Sequence, residues 1–396
     1  MNKVYNTQND FARGIQKFLK IAMPNIRKTQ LKIIPFIMLG AILAESFVPL
    51  DIAKKLKGDF SLVQVDSVTK RIKRFFTNKL FNPYVFYDYI IRFVINTYKK
   101  KHPDKDVHIV FDHMFSHDHF TVFMITMRFG KQGIPLWFRC FKDNNDTEAF
   151  KLKLMQDGIS YVSSLFDKDF NLIFLGDRWF NSTKLMEHID SLGHTYNLRL
   201  KSNINVYHHD KKEKHKIRKT VGQLPKKKYH SVYYKNIELT DSKYVVNIAI
   251  APYGETSEPW IIATNGEPDK AIRDYNKRFG AVECVFKSQK SNGFYIENTV
   301  NCSLKYFETM YTIVCFATLY LTILGSDFAK NSKCYKNVKI KTHTTTHGKK
   351  IRILSLFNTG LTLFNRAFES LRYIRIPYSF ILYDSWFINL ILLYNF

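Results

Sequence analysis

Two short apolar runs close on an acid: VHIVFD ends at Asp112 and NLIFLGD ends at Asp177. Carboxylates at the ends of neighbouring strands can hold a pair of divalent cations about 3.5–4 Å apart on a scissile phosphate, because such ions take oxygen ligands. A lone acid after a strand is more often a turn residue, so the pair by itself is only suggestive. A third acid, Glu283, lies in YNKRFGAVECVFKSQKSNGF, seven residues before Lys290. That is about two helical turns, which places a metal-binding acid and a phosphate-binding cation on one helix face. His113, His117 and His119, beside Asp112 and Asp118, have the residue types of a transition-metal site. A continuous strand or turn rarely converges three such ligands, and they read instead as a polar loop next to the acids. His208, His209, His343 and His347 lie among lysines and read as solvated or phosphate-facing.

The elements that must position these acids are legible from periodicity. VHIVFD (107–112), FTVFMITMRFG (120–130) and IPLWFRCF (134–141) read as three strands, the last two joined at Gly-Lys-Gln-Gly. A helix is expected over 147–165 with Asp146 as its cap. A strand over 171–177, a helix over 182–192 and a strand over 194–201 follow. Three strands, helix, strand, helix, strand is the order of an RNase H-like sheet, in which the strands carrying Asp112 and Asp177 are neighbours. The fold class expected is therefore α/β: a mixed five-stranded RNase H-like core with flanking helices, interrupted by a β-rich insertion. Its parts are residues 105–201, the insertion at 202–270, and a second core part at 271–330 that carries the Glu283 helix. A helical region over 1–104 precedes them and a basic, helical region over 331–396 follows. From Asp177 to Glu283 the chain is far longer than one crossover needs, so the insertion is expected to leave the sheet as a separate lobe with Trp260 on its active-site side.

The chain has 396 residues, and Lys plus Arg outnumber Asp plus Glu by 60 to 34, a formal charge of +26. Such a surplus favours a polyanionic partner, with nucleic acid first among them, although AT-rich coding also enriches Lys, Asn and Ile. Residues 201–230 hold ten Lys or Arg against Asp210 and Glu213, read as the basic face of the insertion. In DSVTKRIKRFF, with Asp66 or Ser67 as cap, Val68, Ile72 and Phe75 or Phe76 recur near helical spacing, and Lys70, Arg71, Lys73 and Arg74 gather on the other sides. That basic amphipathic helix is either a solvated surface helix or a DNA-contacting one. With 34 Phe and 23 Tyr the chain has ample material for a core. Its five cysteines form no C-x-x-C pair, which suits a reducing compartment and gives no zinc-ribbon spacing. The N-terminus lacks an apolar secretory segment, and Thr309 to Gly325, 17 uncharged residues rich in Thr and Tyr, reads as a buried helix rather than a membrane span. A bacterial cytosolic protein, nucleoid-associated when bound to DNA and with no membrane partner, is expected.

The stretch from Tyr275 to Lys290 resembles the Tyr-x2-Arg, Glu-x6-Lys signature of DDE transposases of insertion-sequence family four. IVFDHM, the GIPLWF strand, FLGDRWF, PWIIATN and the KSNGF after Glu283 agree with it in order and separation, over residues 60 to 370. One departure stands out. The family has three residues between the arginine and the glutamate, whereas Phe279, Gly280, Ala281 and Val282 make four here, and an irregular turn at Gly280 would restore the positions.

The resemblance implies a cut-and-paste DNA transposase that binds terminal inverted repeats and performs strand cleavage and strand transfer through hairpin ends. It implies that Asp112, Asp177 and Glu283 bind two Mg²⁺ or Mn²⁺ ions. Tyr275, Arg278 and Lys290 would contact phosphates near the transposon end, with Arg178 a further candidate. Trp260 would stack a flipped base, its alternative being a core tryptophan. Lys70, Arg71, Lys73 and Arg74 join the DNA-binding set. The partners implied are double-stranded DNA, as transposon ends and target, and a second copy of the chain in a synaptic homodimer. Two other readings stay open: a nuclease of the same fold that cannot join strands, and a DNA-binding relic without catalysis.

Overall fold

The computed structural model describes residues 8–56, 64–100, 106–116, 120–142, 147–209, 216–252, 258–299, 303–330, 342–344, 350–352 and 354–369. His117, His119, His347, the Asp146 cap and parts of the two basic runs lie outside the described residues. Five helices come first: α1 (Gln8–Ala22), α2 (Lys28–Ala44), α3 (Pro49–Lys55), α4 (Val65–Phe76) and α5 (Pro83–Lys99). Helix α4 buries Val68, Ile72, Phe75 and Phe76, the stripe expected from its periodicity. It starts at Val65 after Gln64, which makes no side-chain cap bond, rather than at Asp66 or Ser67.

Strands β1 (Asp106–Ser116), β2 (Phe120–Phe129) and β3 (Gln132–Lys142) form an antiparallel meander. Helix α6 (Glu148–Ser164), β4 (Asn171–Gly176), α7 (Thr183–Ser191) and β5 (Thr195–Arg199) follow. The N-cap of α6 is Thr147, whose hydroxyl accepts the Phe150 N–H at 3.1 Å. β4 lies parallel to β1, and β5 parallel to β4. The order β3-β2-β1-β4-β5 with these directions is the RNase H-like sheet.

The insertion is β-rich: β6 (Asn205–His209), β7 (Lys216–Thr220), β8 (Val232–Leu239), β9 (Tyr244–Ile250) and β10 (Ile261–Thr264). It does not leave the sheet as a separate lobe. β10 pairs antiparallel with β5, Ile262 opposite Arg199, and the order runs on through β9, β8, β6 and β7 to make one ten-stranded sheet. The physical reason lies at the edge of the core. Without β10, β5 would expose a row of unpaired backbone groups, and an apolar strand such as Ile261–Thr264, buried at all four positions, satisfies them.

Helix α8 (Pro268–Asn276) and α9 (Val282–Lys290) return the chain to the core, and α10 (Leu304–Lys330) runs through it. α10 is long and apolar enough to cross a membrane, yet 94% of its most apolar window is buried inside the protein. It packs against α2, α4, α5, α9 and β3, so the N-terminal helices share the core of the sheet. Beyond it come the two-stranded β11 (Thr342–Thr344) and β12 (Lys350–Arg352), then α11 (Leu356–Glu369), laid against α10.

The α10–α11 crossing is closed by Gly325 and Gly360. A β-carbon on Gly360 would overlap the Leu321 carbonyl oxygen, and one on Gly325 would overlap that of Leu356. Both obstacles are backbone and cannot rotate away. Gly360→Ala is therefore expected to destabilise the protein by about 3 kcal/mol, the upper end of ordinary overpacking. Urea unfolding of wild type and variant checks it, and equal midpoints would show that the two helices separate freely.

Candidate active site

In the parallel pairing of β1 with β4, Val110 lies opposite Leu175. Continuing that register two residues brings Asp112 level with Asp177. Asp112 is not at the end of β1, because the strand runs on to Ser116 along β2, with Asp112 opposite Met124. Asp177 follows β4 directly, and its carboxylate accepts the Trp179 N–H at 2.8 Å, which turns the chain away from the sheet.

Glu283 opens α9, and the segment before it resolves the extra residue noted in the sequence. α8 ends at Asn276, Gly280 takes φ +80°, and α9 begins at Val282. The left-handed glycine gives the irregular turn that lets Arg278 point back at the acids. Its backbone is pinned from β2: Arg128 donates to the carbonyls of Lys277 and, at 3.2 Å, of Phe279. From β1, His108 meets Asp274 at 3.2 Å, and Asp274 also accepts from Lys277 at 3.1 Å. Burial, and then the neighbouring Lys277 charge, hold the His108 pKa below its usual value. α9 itself is anchored on α10 by the fully buried Gln289, which accepts from the Tyr311 hydroxyl at 2.6 Å.

The three acids meet on one guanidinium. Nη2 of Arg278 lies 2.8 Å from Asp112 Oδ2 and 3.7 Å from Asp177 Oδ2, and Nη1 lies 3.0 Å from Glu283 Oε1. Two carboxylate oxygens that share one nitrogen at those distances are no farther apart than the two distances combined. Arg278 is 6% exposed, and its buried Nε has no hydrogen-bond partner. Burial raises the Asp112 pKa, against the pull of the Arg278 charge and of the His113 N–H that donates to its carboxylate. Among the described residues no three His, Cys, Asp or Glu side chains stand close enough to grip an ion directly, because the guanidinium lies between the carboxylates. The donor set nonetheless suits Mg²⁺ or Mn²⁺: three carboxylates, all oxygen, converging on the position of a single cation.

The other residues singled out in the sequence fall in different places. Lys290, at the far end of α9, is paired with Glu297 at 2.7 Å. Arg178 is exposed and lines a cleft of about 400 Å³ with Trp179, Arg199, Lys201, Lys226 and Glu258. Lys70, Arg71, Lys73 and Arg74 are all exposed on α4. Tyr275, expected at a phosphate, is instead 1% exposed, with burial pushing its hydroxyl pKa up to about 12. Trp260 is half-buried, stacked on Phe279 at 5.2 Å and edge-on to Tyr275 at 5.6 Å. The exposed indole beside the acids is Trp179, 68% accessible, with Lys201 Nζ 5.2 Å from its ring centre. Sequence reasoning passed over it. Its signal was its place two residues after Asp177, where the chain leaves the sheet.

The family model described as "Transposase DDE domain" matches residues 96–319, a span that contains all three acids. Among solved structures, the cryo-EM structure of a piggyBac transposase synaptic complex with hairpin DNA is similar at a TM-score of 0.46 and 11% identity, covering 96% of this chain and 84% of that one. No curated protein matches the sequence. The family match spans more than half of the chain, and the chain belongs to the transposase DDE domain family.

Proposed function

We propose that this transposase cuts and rejoins DNA at element ends, with Asp112, Asp177 and Glu283 as the catalytic carboxylates. The observation that carries the reading is the convergence of those three side chains, from two strands and a helix, on the Arg278 guanidinium. The three carboxylates would hold two divalent ions. Bound there, Mg²⁺ or Mn²⁺ would supply Lewis-acid activation of the attacking oxygen and neutralise charge at the scissile phosphate.

The chain's own residues do the rest. Asp112, held within β1, and Asp177, directly after β4, fix the level of the scissile phosphate against the sheet. Glu283 approaches from α9 and closes the third side. The cleft of Arg178, Arg199, Lys201 and Lys226 continues from Asp177 and offers cations spaced along a phosphate backbone. Trp179 within it presents an open aromatic face on which any base can stack. Trp260 and Tyr275 support the turn carrying Arg278 and Phe279. Lys290, once its bond to Glu297 is exchanged for a phosphate, lies two turns along α9 from Glu283. On the family resemblance, two copies act on paired ends, through hairpin intermediates.

A duplex carrying the inverted repeats that flank the gene, incubated with the full chain in Mg²⁺ or Mn²⁺, tests the reading. The expected products are cleaved ends followed by joined strands. Cleavage with no joining would identify a nuclease, and binding with neither would identify a non-catalytic DNA-binding protein.

A further inference from the structure

A buried guanidinium shared by three carboxylates is a charge balance of +1 against −3, held in a place where the ions expected at this site would also have to be. Arg278 reaches it from a turn and not from inside a helix. Among the described residues its side chain is tethered by the acids: Nη1 and Nη2 bond to carboxylates, while Nε, equally buried, has no hydrogen-bond partner. A donor left unsatisfied away from water is costly, so this arginine is bound less tightly than its three ion pairs suggest. The next residue, Phe279, has its ring 5.9 Å from the guanidinium carbon and is 39% exposed, so the turn that carries Arg278 borders solvent.

Building on the carboxylate assignment above, we propose that Arg278 is an internal counter-cation that competes with divalent metal for Asp112, Asp177 and Glu283 and is handed to a DNA phosphate when the site is loaded. Two consequences follow from linkage. Metal and arginine exclude each other from the same oxygens, so removing the guanidinium tightens metal binding. A phosphate that takes up the guanidinium also tightens it, and metal must then strengthen DNA binding by the same factor. Arg278 is a positioning residue here, acting on metal affinity through the carboxylates it occupies.

Binding measurements on the full chain without turnover test this. Mn²⁺ titrated onto DNA-free protein and followed by the EPR signal of free Mn²⁺ should bind Arg278→Gln at least about tenfold more tightly than wild type, because three carboxylates then lack a competing charge. Arg278→Lys, which keeps the charge but cannot reach three acids together, should fall between them and serves if the glutamine variant melts early. At constant ionic strength, Mn²⁺ should tighten duplex DNA binding by wild type, read by fluorescence anisotropy, and should not do so for Arg278→Gln. Equal or weaker Mn²⁺ affinity in both variants would overturn the proposal. Asp112→Asn separates that failure from failure of the site itself. If it weakens Mn²⁺ binding while the Arg278 variants do not tighten it, only the counter-cation role falls. If Mn²⁺ binding ignores Asp112→Asn in either background, the carboxylates are not the metal site.

Discussion

Glu283→Gln is expected to stop strand cleavage and leave DNA bound. Glutamine keeps the length of the side chain, and its amide oxygen can still accept from Arg278 Nη1, which now lies 3.0 Å from Glu283 Oε1. The first turn of α9 and the anchoring of that helix through Gln289 are untouched, so folding should survive. What is lost is one of three negative charges needed to hold metal at the scissile phosphate, and with it the barrier lowering that depends on correct placement of both ions. A fall of about 10³-fold, ~4 kcal/mol in the barrier, is the expected size. Cleavage and gel-shift assays on one preparation check both halves. Glu297→Gln is the matched control. Glu297 touches Lys290 and lies outside the Arg278 cluster, so cleavage should persist. Should Glu283→Gln cleave normally in Mg²⁺, the third carboxylate is misassigned and Glu297 becomes the next residue to test.

The acids were readable because strand patterning reports two things together, where a strand lies and which residue follows it. Asp112 and Asp177 come level because the parallel strands β1 and β4 start side by side, Asp106 opposite Asn171, in a layer that the alternation of strands and helices already implied. The extension of β1 four residues past Asp112 was hidden, since nothing in DHMFS marks a strand; it exists because β2 returns alongside and supplies partners as far as Phe120. The insertion's strands were legible one by one. Their attachment was not, because an apolar run such as PWIIATN carries no label for its neighbour, and the need for a cover on β5 is a property of the assembled sheet. Tyr275 and Arg278 were assigned by motif to one task. Tyr275 is buried in the last turn of α8, whereas Arg278 lies in the turn after it, whose direction depends on Gly280, and from there it reaches the acids. Trp179 and Trp260 show the same limit from the other direction, since identity and neighbours in sequence cannot tell a covered indole from an open one.

Neutralising Lys70, Arg71, Lys73 and Arg74 together is expected to weaken DNA binding strongly and to flatten its dependence on salt. These four side chains are exposed on α4, while Val68, Ile72, Phe75 and Phe76 hold the other face of the helix in the core. The charges can therefore be removed, by Gln at each position, without disturbing the packing that keeps α4 in place. Among the described ion pairs none engages any of the four, so they carry their full charge to a partner. Each phosphate contact releases condensed counterions and contributes about 0.9 to the slope of log K against log salt, so four contacts amount to a slope change of ~3 to 4. Over a fourfold change in salt that corresponds to roughly two orders of magnitude in affinity. Anisotropy titrations at several salt concentrations give the slope directly. An unchanged slope would make α4 a solvated surface helix, and the cleft of Arg178, Arg199, Lys201 and Lys226 would then have to supply the backbone contacts. A flattened slope with cleavage of saturating DNA still intact would separate the surface that captures DNA from the carboxylates that cut it.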